Sequence, residues 1–377
     1  MIQRQFWLKR CETAWLQAPI AWLSGVRRCG KTVLAKAFGE DRSLYLNCDL
    51  PAVGDMTHDP AFFYRNCGKE IVIFDEVHQL SDPSRLLKVG ADEFPKLKIL
   101  ATGSSTLAAK KKFRDTLTGR KRQIHLLPAL WDEFAAFGGA SLHKRLFHGG
   151  LPPALLAQRK DASFYREWTD SFFSRDIQKL FGLRDYGKFN LVFEYLMKQS
   201  GGQLDVSKAA RALSISRATI SNHLRAMEIT HAMTVLRPFH AGGRRELVKM
   251  PKVYGFDTGF VSFFKGWDPL RTTDYGHLWE HLVLEWVQAK LPDASLLYWR
   301  DAFGREVDFV IPGNRDAVDA VECKWNPSEF DGESLAAFRG LHPDGSNFLV
   351  CPSVDHSYKK RVKGMEITVC DPSGLAP

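Results

Sequence analysis

The stretch "AWLSGVRRCGKTVLAKAF" limits this chain more than any other, because an apolar strand, a glycine-bounded turn and a helix follow one another with fixed spacing. Gly25, Gly30, Lys31 and Thr32 fit G-x-x-x-x-G-K-[ST] at every fixed position. The two glycines let the backbone wrap an anion with several N–H groups pointing inward, and the helix that begins near Lys31 adds its N-terminal dipole. On this reading Gly25, Val26, Arg27, Arg28, Cys29, Gly30, Lys31, Thr32 and Val33 form a phosphate loop. Lys31 neutralises the β- and γ-phosphates of a nucleotide, and the Thr32 hydroxyl ligates Mg²⁺. Cys29 is small enough to leave the loop open.

The segments that follow supply the rest of such a site. "EIVIFDEVHQL" reads as a parallel strand buried on both faces and ending in two acids. Asp75 at its tip is expected to hold Mg²⁺ through water, and Glu76 to act as general base. "LKILATGSS" is a further strand, with Thr102, Ser104 or Ser105 placed to orient the attacking water. A basic helix and another strand come next. Arg120 at their junction is the first candidate for a finger reaching a neighbouring subunit's nucleotide, Arg114 the second, and Arg175 in "FFSRDIQKL" a candidate lid contact. Lys110, Lys111 and Lys112 read as a solvated face or a path for nucleic-acid phosphates.

The 377 residues are too many for one core, so two to four domains are expected. From about Trp131 to Tyr186 the chain reads as a helical lid. "LDVSKAARALSISRATISNHLRAME" then divides into two helices around a tight turn, with Ala209, Ala210, Leu213, Ile220 and Leu224 on the apolar faces. Arg217, Thr219, Ser221, Asn222 and Arg225 remain on the polar faces, as in a recognition helix that meets DNA. A hairpin turning at Gly242-Gly243 and carrying Arg244 and Arg245 completes a winged helix. The net charge of +9 suits a polyanionic partner, nucleic acid before membrane. No apolar run approaches the roughly 20 residues of a membrane span. The N-terminus has no signal-like apolar core, and seven scattered cysteines point to a reducing, cytoplasmic setting.

Near the C-terminus, "REVDFVI" and "AVDAVECKW" read as two strands of a hairpin that brings Asp308 to Glu322 and Lys324. Helical counting over "GHLWEHLVLEWVQAKL" turns Glu280 toward them and leaves Glu285 to solvent. Glu280, Asp308 and Glu322-x-Lys324 fit the PD-(D/E)xK nuclease pattern, in which the acids hold Mg²⁺ and the lysine orients water.

Assembled in order, "GVRRCGKT", "VIFDE", "ATGSS", "LTGR", "GGLPPAL", "SRDI", "KVYGFDTG" and "REVDFV" with "VECK" resemble a family of bacterial and archaeal ATPases. The resemblance implies an α/β chain with a five-stranded parallel AAA-type P-loop core over 1–130 and a helical lid over 131–187. A winged helix over 188–258 and an α/β restriction-endonuclease-like domain over 259–377 follow. It also implies ATP and Mg²⁺ as cofactors, Arg120 as the trans finger, and self-association into a homo-oligomer, such as a hexameric ring. The activity expected is Mg-ATP hydrolysis coupled to DNA binding or remodelling; the alternatives are a nucleotide-gated regulator and a Mg²⁺-dependent nuclease.

Overall fold

The computed structural model describes residues 2–103, 117–239, 250–313 and 317–375. Ser104, Ser105, Lys110–Lys112, Arg114, Arg244 and Arg245 lie outside them. The chain divides into two compact units. The first holds Met1–Leu127 with Asp170–Arg184 and Ile229–His231. The second holds Pro128–Thr169, Asp185–Glu228 and Ala232–Pro377.

The first unit is built on five strands, β1 (Ile20–Ser24), β2 (Ser43–Asn47), β3 (Ile71–Asp75), β4 (Lys98–Thr102) and β5 (Lys121–His125). All pairs are parallel, in the order β2-β3-β4-β1-β5. β1 and β3 are buried at every position, as parallel strands covered on both faces must be. Trp22, Phe74, Val72 and Ile99 pack with Phe63, Tyr64 and Leu86 of the covering helices. The register aligns Leu23 with Thr102, Ser24 with His125 and Asn47 with Asp75. One edge of the sheet, at the carboxyl ends of the strands, therefore collects polar residues from β1 through β5, where ligands of open α/β sheets bind.

The second unit carries a mixed sheet of nine strands in the order β13-β14-β12-β11-β10-β9-β7-β8-β6. These are β6 (Gly202–Gln203), β7 (Met233–Pro238), β8 (Lys252–Gly255), β9 (Leu297–Arg300), β10 (Glu306–Pro312), β11 (Val318–Cys323), β12 (Asn347–Val350), β13 (Tyr358–Val362) and β14 (Met365–Cys370). Helices Val206–Leu213 and Arg217–Ile229 form as expected, joined through Ser214 in a left-handed conformation. β7 and β8 pair antiparallel, and Arg237 and Pro238 of β7 pair in parallel with Leu297 and Tyr298 of β9. The boundary expected at 258/259 thus falls between strands of one sheet. No helix among the described residues is long and apolar enough to cross a membrane.

Two of the motifs quoted above interlock in this unit. Asp257 caps helix Thr258–Phe264 and accepts a bond from Gly150 N at 2.7 Å. A Cβ at Gly259 would lie 2.1 Å from the His148 carbonyl oxygen. Fully buried Arg145 donates to Ala129 O, to Thr258 Oγ1 and to Glu285. That corrects the expectation that Glu285 faces water. Helix Thr272–Lys290 is buried on most of its circumference, so its polar stripe is not a solvent stripe, and a guanidinium satisfies the carboxylate instead. We expect Gly259→Ala to cost about 1–3 kcal/mol, since the added methyl meets backbone that cannot rotate away; the shift of the denaturant midpoint measures it.

Candidate functional site

Gly25 takes φ +151°, and a Cβ there would lie 2.5 Å from Leu126 O. Glycine is required at that point because the loop passes directly over the end of β5. Arg28 (φ +62°) and Gly30 (φ +100°) turn the chain into helix Lys31–Lys36. Lys31 Nζ donates to Gly25 O at 2.9 Å and Val26 O at 3.1 Å, so its ammonium lies across the loop. From outside, the buried Arg4 donates to Cys29 O and Leu127 O at 3.2 and 3.0 Å.

Asp75 is 4% exposed and accepts three hydroxyls: Thr32 Oγ1 at 2.7 Å, Tyr45 at 2.6 Å and Thr102 Oγ1 at 2.5 Å. Burial first, and the Asp75 carboxylate second, push the Tyr45 phenol above its ordinary value. Tyr45 therefore stays a neutral donor. Thr102, expected to orient water, is fully buried and also accepts from Glu76 N at 2.9 Å. Its hydroxyl fixes both acids from behind. Glu76 adopts φ +55°, a strain of about 1–3 kcal/mol for a residue with a Cβ, and its carboxylate lies 3.2 Å from His78 Nδ1.

Two further groups border the loop, whereas Arg120 lies at the amino end of β5, away from it. A π-turn, Phe173–Ile177, leaves Arg175 exposed and half-buries Asp176, whose Oδ2 lies 3.5 Å from Arg27 Nη1. Burial raises the Asp176 carboxyl, against the lowering charges of Arg27 and Lys31. His125 stacks on His231 with ring centroids 3.7 Å apart. Burial, helped by Lys31, lowers His231 to about 4 and His125 well below its ordinary value, so both rings are neutral beside the lysine. Arg120 forms a bidentate pair with Asp92, at 2.6 and 3.0 Å.

These bonds explain one another: the loop, the β3 acid and the β4 hydroxyl are one connected unit at one sheet edge. Residues 17–135 match the model of the AAA domain family. The chain carries an AAA-type P-loop domain. Residues 139–271 and 275–368 match two families described only as domains of unknown function. An uncharacterized protein of Mycobacterium tuberculosis is 26% identical over 321 residues, 82% of this chain and 71% of its own, and one of Mycobacterium bovis gives the same figures. Among solved structures, a Walker-type ATPase of Pyrococcus abyssi (TM-score 0.47, 15% identity) covers 70% of this chain and 96% of its own. The Thermotoga maritima Holliday junction branch migration motor (TM-score 0.31, 16% identity) covers 63% and 90%. These superpositions are too loose to say more of this chain.

On the helix Arg217–Ile229, Arg217, Asn222 and Arg225 are exposed, whereas Thr219 binds the Ser216 hydroxyl at 2.8 Å as part of the cap. In the C-terminal strands, Phe309 pairs with Val321, and the next step of the ladder sets Asp308 level with Glu322. Asp308 Oδ2 accepts from Cys323 N at 2.8 Å, and Lys324 Nζ lies 3.2 Å from Glu322 Oε2. Glu280 reaches the same place but is held by Lys252 at 2.9 Å and the Tyr254 hydroxyl at 2.5 Å. Among the described residues no three His, Cys, Asp or Glu side chains form a metal-holding group.

Burial first, then the charge of Glu280 on Asp308 and of Asp308 on Glu322, raises both acids above the ordinary carboxylate range, with Lys324 opposing. A carboxyl whose folded value is raised lends stability below its unfolded value and loses it as the pH climbs through the folded one. Thermal stability is therefore expected to fall from about pH 5 to about pH 8, and Glu322→Gln to flatten that slope; melting curves across the range decide it.

Proposed function

We propose that this chain binds and hydrolyses ATP with Mg²⁺ and uses the cycle to bind or remodel DNA. The hydrogen bond between Thr32 and Asp75 carries the reading, because it joins the end of the phosphate loop to the β3 acid. Lys31 would exchange its loop carbonyls for phosphate oxygens, and the backbone of Gly25–Thr32 would supply the N–H donors. Thr32 and Asp75 fit a hard cation: both offer oxygen, and both are already within bonding reach of one another. Mg²⁺ held by Thr32 and Asp75 would neutralise charge on the phosphates. Glu76 takes the proton of the attacking water, held in place by Thr102.

DNA contact is assigned to Arg217, Thr219, Asn222 and Arg225, and to Arg244 and Arg245, as in a winged helix. Phosphate contacts of this kind position a protein without reading bases. The finger is assigned to Arg120, Arg114 or Arg175 of a neighbouring subunit in a homo-oligomer such as a hexamer. The bidentate pair of Arg120 with Asp92 favours a second reading, in which ATP only switches DNA binding and turnover is slow.

ATPase activity of purified protein, with and without duplex DNA, tests the proposal. Lys31→Ala is expected to abolish turnover. Glu76→Gln is expected to slow it by about 10²–10⁴ while retaining ATP. DNA binding that does not weaken with salt would contradict the phosphate-contact assignment.

A further inference from the structure

A buried lysine that the nuclease-like pattern does not include contacts two carboxylates of the second unit, and its charge acts on a third. Lys252 on β8 is 3% exposed, and its Nζ stands 2.9 Å from Glu280 Oε1 and 2.6 Å from Glu306 Oε1. Glu306 is also paired with Arg300 at 2.8 Å. Asp308 and Glu322 complete the group, and the charges of Lys252, Glu280 and Lys324 act on Asp308. Glu322 is 3% exposed, its Oε1 has no hydrogen-bond partner, and the charges of Asp308, Lys324 and Glu280 act on it. Buried carboxylates gathered so closely require cationic charge among them. A divalent ion is one way to provide it, and an ammonium that reaches in from a neighbouring strand is another.

We propose that the Lys252 ammonium occupies a cation site that Glu280, Asp308 and Glu322 would otherwise present to a divalent metal. The protein then holds no metal at this position and cuts no DNA there. Removing the ammonium converts the cluster into a site for Mn²⁺ or Mg²⁺. The register of β8 against β7 explains why this lysine arrives. Leu236 pairs with Lys252 and Thr234 with Tyr254, so both residues that hold Glu280 come from one face of the same short strand. Glu280 is thus committed to β8, Asp308 is acted on by both Lys252 and Lys324, and Glu322 pairs with Lys324.

The experiment is a Mn²⁺ titration of nucleotide-free full-length protein, read by the electron-spin signal of free Mn²⁺ and by melting temperature. Mn²⁺ that settles near the phosphate loop is common to all variants and cancels in the comparison. Lys252→Ala is expected to take up one more Mn²⁺ per chain than the unchanged protein. Its melting temperature, lowered by loss of the cation between Glu280 and Glu306, should rise again with Mn²⁺. Lys252→Ala combined with Glu280→Gln should lose both effects. Lys252→Met, which keeps the apolar stem, serves if the alanine variant does not fold. Uptake by the unchanged protein that disappears in Glu322→Gln would overturn the proposal, because metal and lysine would then coexist. So would folded lysine variants without added uptake, or variants that stay unfolded even with Mn²⁺.

Discussion

Asp75 accepts hydrogen bonds from Thr32, Tyr45 and Thr102, and the arrangement of the first unit follows from that convergence. A carboxylate 4% exposed cannot rely on water: Thr32 and Tyr45 share one oxygen, and losing Thr102 would leave the other buried without a partner, at a cost of about 1–3 kcal/mol or more. The three donors come from the helix after the phosphate loop, from β2 and from β4. The acid therefore fixes the loop against the sheet and fixes β3 against both neighbours. The same Thr102 hydroxyl takes the Glu76 amide and holds that residue in its strained conformation. Strain of this kind is stored where position matters more than stability.

The second unit handles its buried charge differently. Arg145 lies fully buried against Glu285 and Thr258, while Lys252 is set among Glu280 and Glu306. In both places one cation from a distant part of the chain satisfies acids on helix Thr272–Lys290. Breaking such a pair leaves an uncompensated charge and is costly, about 3–5 kcal/mol in comparable cases. That cost ties β8 and the helix Leu142–His148 to one packing arrangement.

Much of the first site was legible because it is local. Gly25, Gly30, Lys31 and Thr32 are fixed by spacing, and Asp75 and Glu76 by the end of an apolar strand. Tyr45, Arg4 and His231 were not legible, because each reaches the site from a segment whose own pattern says nothing about phosphate. Only the strand register brings Tyr45 to the edge where Asp75 stands. Asp308, Glu322 and Lys324 could be placed from alternation along two strands, and Glu280 from helical counting. Glu285 failed under the same counting, because a helix covered on nearly all sides has no stripe assigned to water. Lys252 was invisible for another reason: a lysine on a short strand carries no signal of the acids it will meet.

In the proposed function, Asp75 organises a Mg-nucleotide site at the carboxyl edge of the first sheet. Calorimetric titration with a non-hydrolysable ATP analogue, with and without Mg²⁺, tests it most directly in the unchanged protein and in Asp75→Asn. Mg²⁺ is expected to tighten binding in the unchanged protein, and Asp75→Asn to lose this dependence while staying folded. Equal Mg²⁺-dependent affinity in the two proteins would contradict it.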